Sequence, residues 1–132
     1  MAHILVVDDD ESFRVYLVTL LTQAGHTVLE ADNGQTALER FASAPVELII
    51  TDIFMPKMDG IDLLAALVNN RPLVKVIAIS GGYKAMNPRL TLEMAQSFGA
   101  MDIITKPFQA GTVLQKVTRA LQSTNDVVAG ES

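Results

Sequence analysis

Five short runs rich in Ile, Leu, Val and Thr alternate with segments whose apolar residues recur at helical spacing, and this rhythm narrows the fold more than any other feature of the chain. Ile4-Leu5-Val6-Val7 is a continuous apolar run closed by acids, which is how a strand buried on both faces of a parallel sheet reads; it is taken as β1. From Ser12, read as the N-cap, Phe13, Leu17, Leu20, Leu21 and Ala24 fall at helical spacing, and Gly25 stands where a left-handed C-terminal residue is wanted. Thr27-Val28-Leu29-Glu30-Ala31 follows as β2, ended by the turn Asp32-Asn33-Gly34. Ala37, Leu38, Phe41 and Ala42 mark a second helix that stops before Pro45. Leu48-Ile49-Ile50-Thr51 makes β3, and after a loop carrying Met55-Pro56 and Asp59-Gly60 a third helix uses Ile61, Leu64, Ala65 and Val68 and ends near Asn70. Lys75-Val76-Ile77-Ala78-Ile79 is β4. Pro88 opens a fourth helix through Leu90, Met94, Ala95 and Phe98, with Gly99 ending it. Asp102-Ile103-Ile104-Thr105 is β5, and Val113, Leu114, Val117 and Leu121 define a fifth helix.

Strands alternating with helices in this way imply a parallel sheet covered on both faces by right-handed crossovers, a doubly wound α/β domain. In such sheets the functional crevice lies beyond the carboxyl ends of the strands, where strand order reverses. The strand ends are therefore the place to look for chemistry.

Composition excludes several alternatives. At 132 residues the chain makes one domain with a real core, and 49% hydrophobic against 19% charged residues sets it apart from disordered chains. Without cysteine, neither a disulfide framework nor a thiolate metal site can form. The N-terminus lacks the basic region and apolar core of a signal peptide, and no apolar run approaches the roughly 20 residues that span a bilayer, so a cytoplasmic protein without membrane insertion is expected. A net charge of −5 with no cluster of Lys or Arg argues against direct nucleic-acid binding. The domain is placed at 1–122. The polar segment 123–132 is expected to be a short disordered tail, and its brevity leans toward a complete small protein over a fragment of a larger regulator.

Asp8, Asp9 and Asp10 follow β1, Asp52 closes β3, Ser80 closes β4 and Lys106 follows β5, so the four ends meet at one rim. Clustered carboxylates with no nearby compensating Arg repel one another, and a hard divalent cation bound through oxygens relieves that cost. Mg²⁺ uses one or two carboxylates and leaves another, Asp52, to act as nucleophile. Phosphoryl transfer asks mainly for positioning and for positive charge at the equatorial oxygens, which Mg²⁺ and Lys106 supply, while Ser80 adds a hydroxyl donor. Taken singly, these residues have ordinary readings. Asp10 and Asp59 are read as a helix cap or solvated loop acids, Ser80-Gly81-Gly82 alone is a turn, and His3 and His26 lack neighbours at ligand spacing. The six Met and five Phe are assigned to packing, with Phe54 the exception.

Ile4-Leu5-Val6-Val7-Asp8-Asp9-Asp10, Asp52-Ile53-Phe54-Met55-Pro56-Lys57-Met58-Asp59-Gly60, Ile79-Ser80-Gly81 and Thr105-Lys106-Pro107-Phe108, in this order and spacing, resemble the receiver domain of two-component response regulators from Ile4 to about Leu121. The resemblance implies a flavodoxin-like sheet of order 2-1-3-4-5 with five helices. It makes Asp52 the phosphoacceptor, charged from a phosphohistidine on a sensor histidine kinase or a histidine phosphotransfer protein. Asp9 is then the direct Mg²⁺ ligand and Asp8 one acting largely through water, with the Phe54 backbone carbonyl completing the protein's share and Mn²⁺ an accepted substitute. Lys106 contacts the phosphoryl oxygens, Ser80 is the switch hydroxyl, and the Lys106-Pro107 bond is cis.

Three departures from the family pattern bear on output. An aromatic switch residue often lies three positions before the lysine, and here Ile103 stands there. The segment from Ser80 to Gly99 is a few residues longer than in the simplest members, which points to Tyr83–Pro88 as the moving element. Phe54 and Gly82 occupy the two positions that influence water's access to the acyl phosphate, and Phe54→Ala is expected to change the phosphoryl lifetime more than Gly82→Ala.

The expected function is a switch in partner binding toward a downstream protein that the sequence does not name, with no turnover of outside substrates. A relay that hands the phosphoryl group to a phosphotransfer protein, or a receiver fragment of a larger regulator, stands as the alternative. A Mg²⁺-dependent aspartyl phosphatase would want a second Asp where Phe54 stands, and a flavin-binding domain would want a phosphate-cradling loop where the acids follow β1.

Overall fold

The computed structural model describes residues 2–52, 74–80, 93, 96 and 99–122. Within them the chain forms β1 (His3–Val7), α1 (Glu11–Gln23), β2 (Thr27–Ala31), α2 (Gly34–Ser43), β3 (Leu48–Asp52), β4 (Lys75–Ser80), β5 (Asp102–Thr105) and α3 (Ala110–Gln122). The helices expected over 61–70 and 88–98 fall outside the described residues, save Glu93 and Gln96, both of which are helical.

All four strand pairings are parallel, and the order is β2-β1-β3-β4-β5. Side-chain alternation divides the core between the two faces of the sheet. Ile4, Val6, Leu48, Ile50, Ile77, Ile79 and Ile104 point to the face covered by Leu17 and Leu21 of α1 and by Val113, Val117 and Ala120 of α3. Leu5, Val7, Ala31 and Ile49 point the other way, onto Ala37 and Phe41 of α2. This is why β1 and β3 read as unbroken apolar runs: both of their faces are covered, and each fully buried Leu or Ile contributes roughly 1.5–3 kcal/mol.

The helix ends place the loops. Asp10 is the N-cap of α1, its side chain accepting from the backbone N–H groups of Ser12 and Phe13, so the expected cap at Ser12 is corrected. The acid wins because its carboxylate satisfies two N–H groups of the first turn, and the helix starts two residues earlier than the apolar spacing implied. At the other end Gly25 takes φ 100°, a left-handed conformation that any side chain would strain. Asn33 caps α2 by accepting from the Thr36 N–H at 2.9 Å, so part of the expected turn is a helix start. β3 and β4 each run one residue further than the apolar pattern indicated, taking in Asp52 and Ser80.

The chain leaves β1 for β2 on one side and later enters β3 on the other, so strand order reverses between β1 and β3. Val7 is paired with Thr51 there, which sets Asp8 and Asp52 side by side just beyond the last pair.

Candidate functional site

Asp8 is fully buried and held at several points. Its N–H donates to the Ala31 carbonyl of β2 at 3.1 Å, its Oδ1 accepts from the Asp10 N–H at 2.9 Å, and its carbonyl accepts from Arg14 Nη1 at 2.8 Å. Asp52, 6% exposed, ends β3 between β1 and β4, where Thr51 Oγ1 donates to its carbonyl at 2.9 Å. Asp9 is exposed, yet one carboxylate oxygen from each of Asp8, Asp9 and Asp52 lies within 4.8 Å of the others.

Lys106 closes the rim from the β5 side. Its ammonium is 2.9 Å from Asp8 Oδ2 and 3.6 Å from Asp52 Oδ2, with the side chain only 9% exposed. The Lys106 N–H donates to the Ser80 carbonyl at 2.8 Å, and the Lys106-Pro107 peptide is cis, as the resemblance implied. Burial disfavours the ammonium, but close contact with Asp8 and the charges of Asp8, Asp52 and Asp10 outweigh it and hold the Lys106 pKa above the ordinary lysine value. Lys106 is therefore a fixed positive charge at any physiological pH.

The donor set suits a hard divalent cation. Among the described residues it is made of carboxylate oxygens, one from each of three acids, and buried Asp8 Oδ2 has the Lys106 ammonium 2.9 Å away. An arginine does stand at the site's edge, contrary to the expectation from the sequence. Arg14 bonds the Asp8 backbone carbonyl and, through Nε, Glu30 Oε1 at 3.0 Å, so these bonds go to a peptide and to β2 and not to the clustered carboxylates.

The order of the strands and the geometry of their ends decide the relationship. The response regulator receiver domain family matches residues 4–118. The chain belongs to that family. It is 36% identical over 122 residues to the DNA-binding transcriptional regulator NtrC of Azospirillum brasilense, covering 92% of this chain but 24% of NtrC. With the response regulator receiver protein CpdR of Brucella abortus it shares 35% identity over 124 residues, 92% of this chain and 98% of CpdR. The crystal structure of the receiver domain of NtrX from Brucella abortus superposes with a TM-score of 0.84 at 31% identity, covering 92% of this chain and 99% of the other. The protein is thus a receiver of two-component signalling with the five-stranded parallel architecture read from its sequence.

Of the residues singled out in the sequence, this receiver brings Asp8, Asp9, Asp52 and Lys106 to one cluster. Ser80 ends β4, 5% exposed and paired with Thr105, one residue beyond the Ile79 that faces Asp52. Ile103 is buried on β5 beside Ala78. Phe54, Gly82 and Tyr83–Pro88 lie outside the described residues. Sequence reasoning missed Phe13 and Arg14 on α1. The Phe13 ring lies 4.3 Å from Lys106 Nζ and packs against Phe108 at 5.6 Å, where Tyr16 stacks on the same ring at 5.7 Å. The available signal was the i, i+3 placement of Phe13 and Tyr16 at the helix end nearest the acids.

Proposed function

We propose that Asp52 accepts a phosphoryl group from a phosphohistidine on a sensor histidine kinase or a histidine phosphotransfer protein, and that the modified domain changes its affinity for a downstream protein. The observation that carries this reading is the convergence of the Asp8, Asp9 and Asp52 carboxylates within 4.8 Å of one another with the Lys106 ammonium against two of them. Mg²⁺, or Mn²⁺ in its place, held by Asp9, Asp8, Asp52 and the Phe54 carbonyl, supplies positive charge to the phosphoryl oxygens and offsets the carboxylate repulsion.

The chain's own residues do the rest. An Asp52 carboxylate oxygen forms the bond to phosphorus while the bond from phosphorus to the histidine nitrogen breaks, and the electron pair leaves with the imidazole, which takes up a proton. Asp52 is held for in-line attack because it ends a strand paired on both sides. Lys106, kept protonated by the acids around it, balances charge on the transferred group. Ser80, at the end of the neighbouring strand, is the hydroxyl that turns toward the phosphoryl oxygens. With aliphatic Ile103 in place of the family's aromatic, output is assigned to the segment Tyr83–Pro88. Phe54 and Gly82 govern water's access to the acyl phosphate. The chemistry is self-directed, since Asp52 is both nucleophile and substrate and no acid stands two residues after it to serve outside phosphoesters.

The test is intact-mass spectrometry after incubation with a small acyl-phosphate donor and Mg²⁺. One phosphoryl adduct is expected on the parent and none on Asp52→Asn or after chelation. An unmodified parent, or an equal adduct on the variant, overturns the reading.

A further inference from the structure

Arg14 is six residues past Asp8 and outside every motif that marks this site, yet its guanidinium is bonded on two edges. Its backbone N–H donates to the Asp10 carbonyl at 2.9 Å, which sets it in the first turn of α1. From there the side chain runs back toward the N-terminus, the direction in which helical side chains tilt. Nη1 reaches the Asp8 carbonyl at 2.8 Å and Nε reaches Glu30 Oε1 of β2 at 3.0 Å. The Arg14 side chain is 15% exposed, against 46% for Glu30, so its contact with Asp8 is the sheltered one.

The Asp8 carbonyl belongs to the peptide that joins Asp8 to Asp9. With the Asp8 N–H bonded to Ala31 and its carbonyl bonded to Arg14, both peptides flanking the buried acid are anchored, and the second sets the direction in which exposed Asp9 leaves the chain. A planar guanidinium makes two bonds at a fixed angle, which a lysine ammonium on a flexible stem does not reproduce.

We propose that Arg14, aimed by Glu30, is a positioning residue for divalent-cation binding: it orients the Asp8-Asp9 peptide so that both carboxylates converge with Asp52. This rests on the reading that these three acids hold the cation. Outer contacts of this kind commonly set metal affinity by about 10-fold or more when removed. The sign of the effect separates positioning from charge. Arg14 is a cation close to a cation site, so through its field alone its removal would tighten Mg²⁺ binding; as a positioning group, its removal weakens it.

The experiment is titration calorimetry of the full chain with MgCl₂ for the parent, Arg14→Ala, Arg14→Lys, Glu30→Ala and the Arg14→Ala/Glu30→Ala double variant, each first shown to be folded by its circular-dichroism melt. Arg14→Ala is expected to raise the Mg²⁺ Kd about 10-fold, with no rescue in Arg14→Lys. Glu30→Ala is expected to raise it about threefold, on the scale of an exposed ion pair, and to add nothing to Arg14→Ala, because Glu30 acts through Arg14. An unchanged or lower Kd in folded Arg14→Ala, or a parent-like Kd in Arg14→Lys, sinks the inference while leaving the cation site intact. Absence of Mg²⁺ binding by the parent removes the cation reading and the inference together.

Discussion

The loop after β1 and the loop after β5 deliver opposite charges to the same rim, and they are held there by different physics. After β1, Asp8 is fixed by directed polar bonds to Ala31, Asp10 and Arg14. After β5, one backbone bond ties Lys106 to the Ser80 carbonyl, but its ammonium is located by what surrounds it: the face of Phe13 at 4.3 Å, Phe108 packed on Phe13 and Tyr16, and the two carboxylates. The contrast follows from the groups themselves. Peptide groups and a carboxylate oxygen bond along defined directions, so directed partners can aim the acid, whereas an ammonium is a point charge on a flexible stem that packing and π faces position. Helix α1 serves both loops, with Arg14 turned to the acids and Phe13 to the lysine. Damage to the acidic loop should appear in cation affinity, and damage to the aromatic layer in stability.

The strongest test of this contrast removes the charge that both loops share. Lys106→Met should slow phosphorylation of Asp52 by the small acyl-phosphate donor about 100-fold, the usual loss when one stabilising charge leaves a transition state. A rate near the parent's would mean that the metal alone supplies the positive charge.

Phe108→Ala strips the aromatic layer. Two ring contacts disappear, and the chain should lose about 1–3 kcal/mol in urea denaturation while its Mg²⁺ Kd stays at the parent's value. A large change in Kd at unchanged stability would erase the distinction between the loops. Asp10→Ala removes the cap of the helix that carries Phe13 and Arg14 and should cost about 1 kcal/mol. A smaller cost would show that Arg14 and Asp8, not the cap, hold the helix start.

The least conspicuous effect is with pH. Folding raises the Lys106 pKa above its ordinary 10.5, so the stability this provides is fully present below that pH and is lost as pH rises through the folded value. The parent's urea midpoint should therefore fall more steeply above pH 10.5 than that of Lys106→Met. Parallel curves would place the lysine outside the influence of the acids.

Much of this was legible in the chain. The five strands were readable because parallel strands covered on both faces leave unbroken apolar runs, while the strand order came from the resemblance to receiver domains. Asp8, Asp9, Asp52 and Lys106 were legible as residues that the fold had to bring to one rim. The start of α1 was misplaced by competition between two capping residues, Asp10 and Ser12, which local pattern alone does not rank. Arg14 could not be picked out, because an arginine on a helix looks the same in sequence whether it points to solvent or folds back onto a backbone carbonyl.

The periodicity and the polar residues ending each run were enough to determine a doubly wound sheet with its chemistry at the strand ends, since burial on both faces and strand polarity are local consequences of side-chain type. Only the tertiary structure decided that the Lys106 ammonium lies against Asp8 more closely than against Asp52, that a phenyl ring from α1 lies beside it, and that Arg14 braces the peptide between the first two acids. Those contacts join residues from different elements, and their distances depend on where helices come to rest on the sheet, which no local pattern encodes.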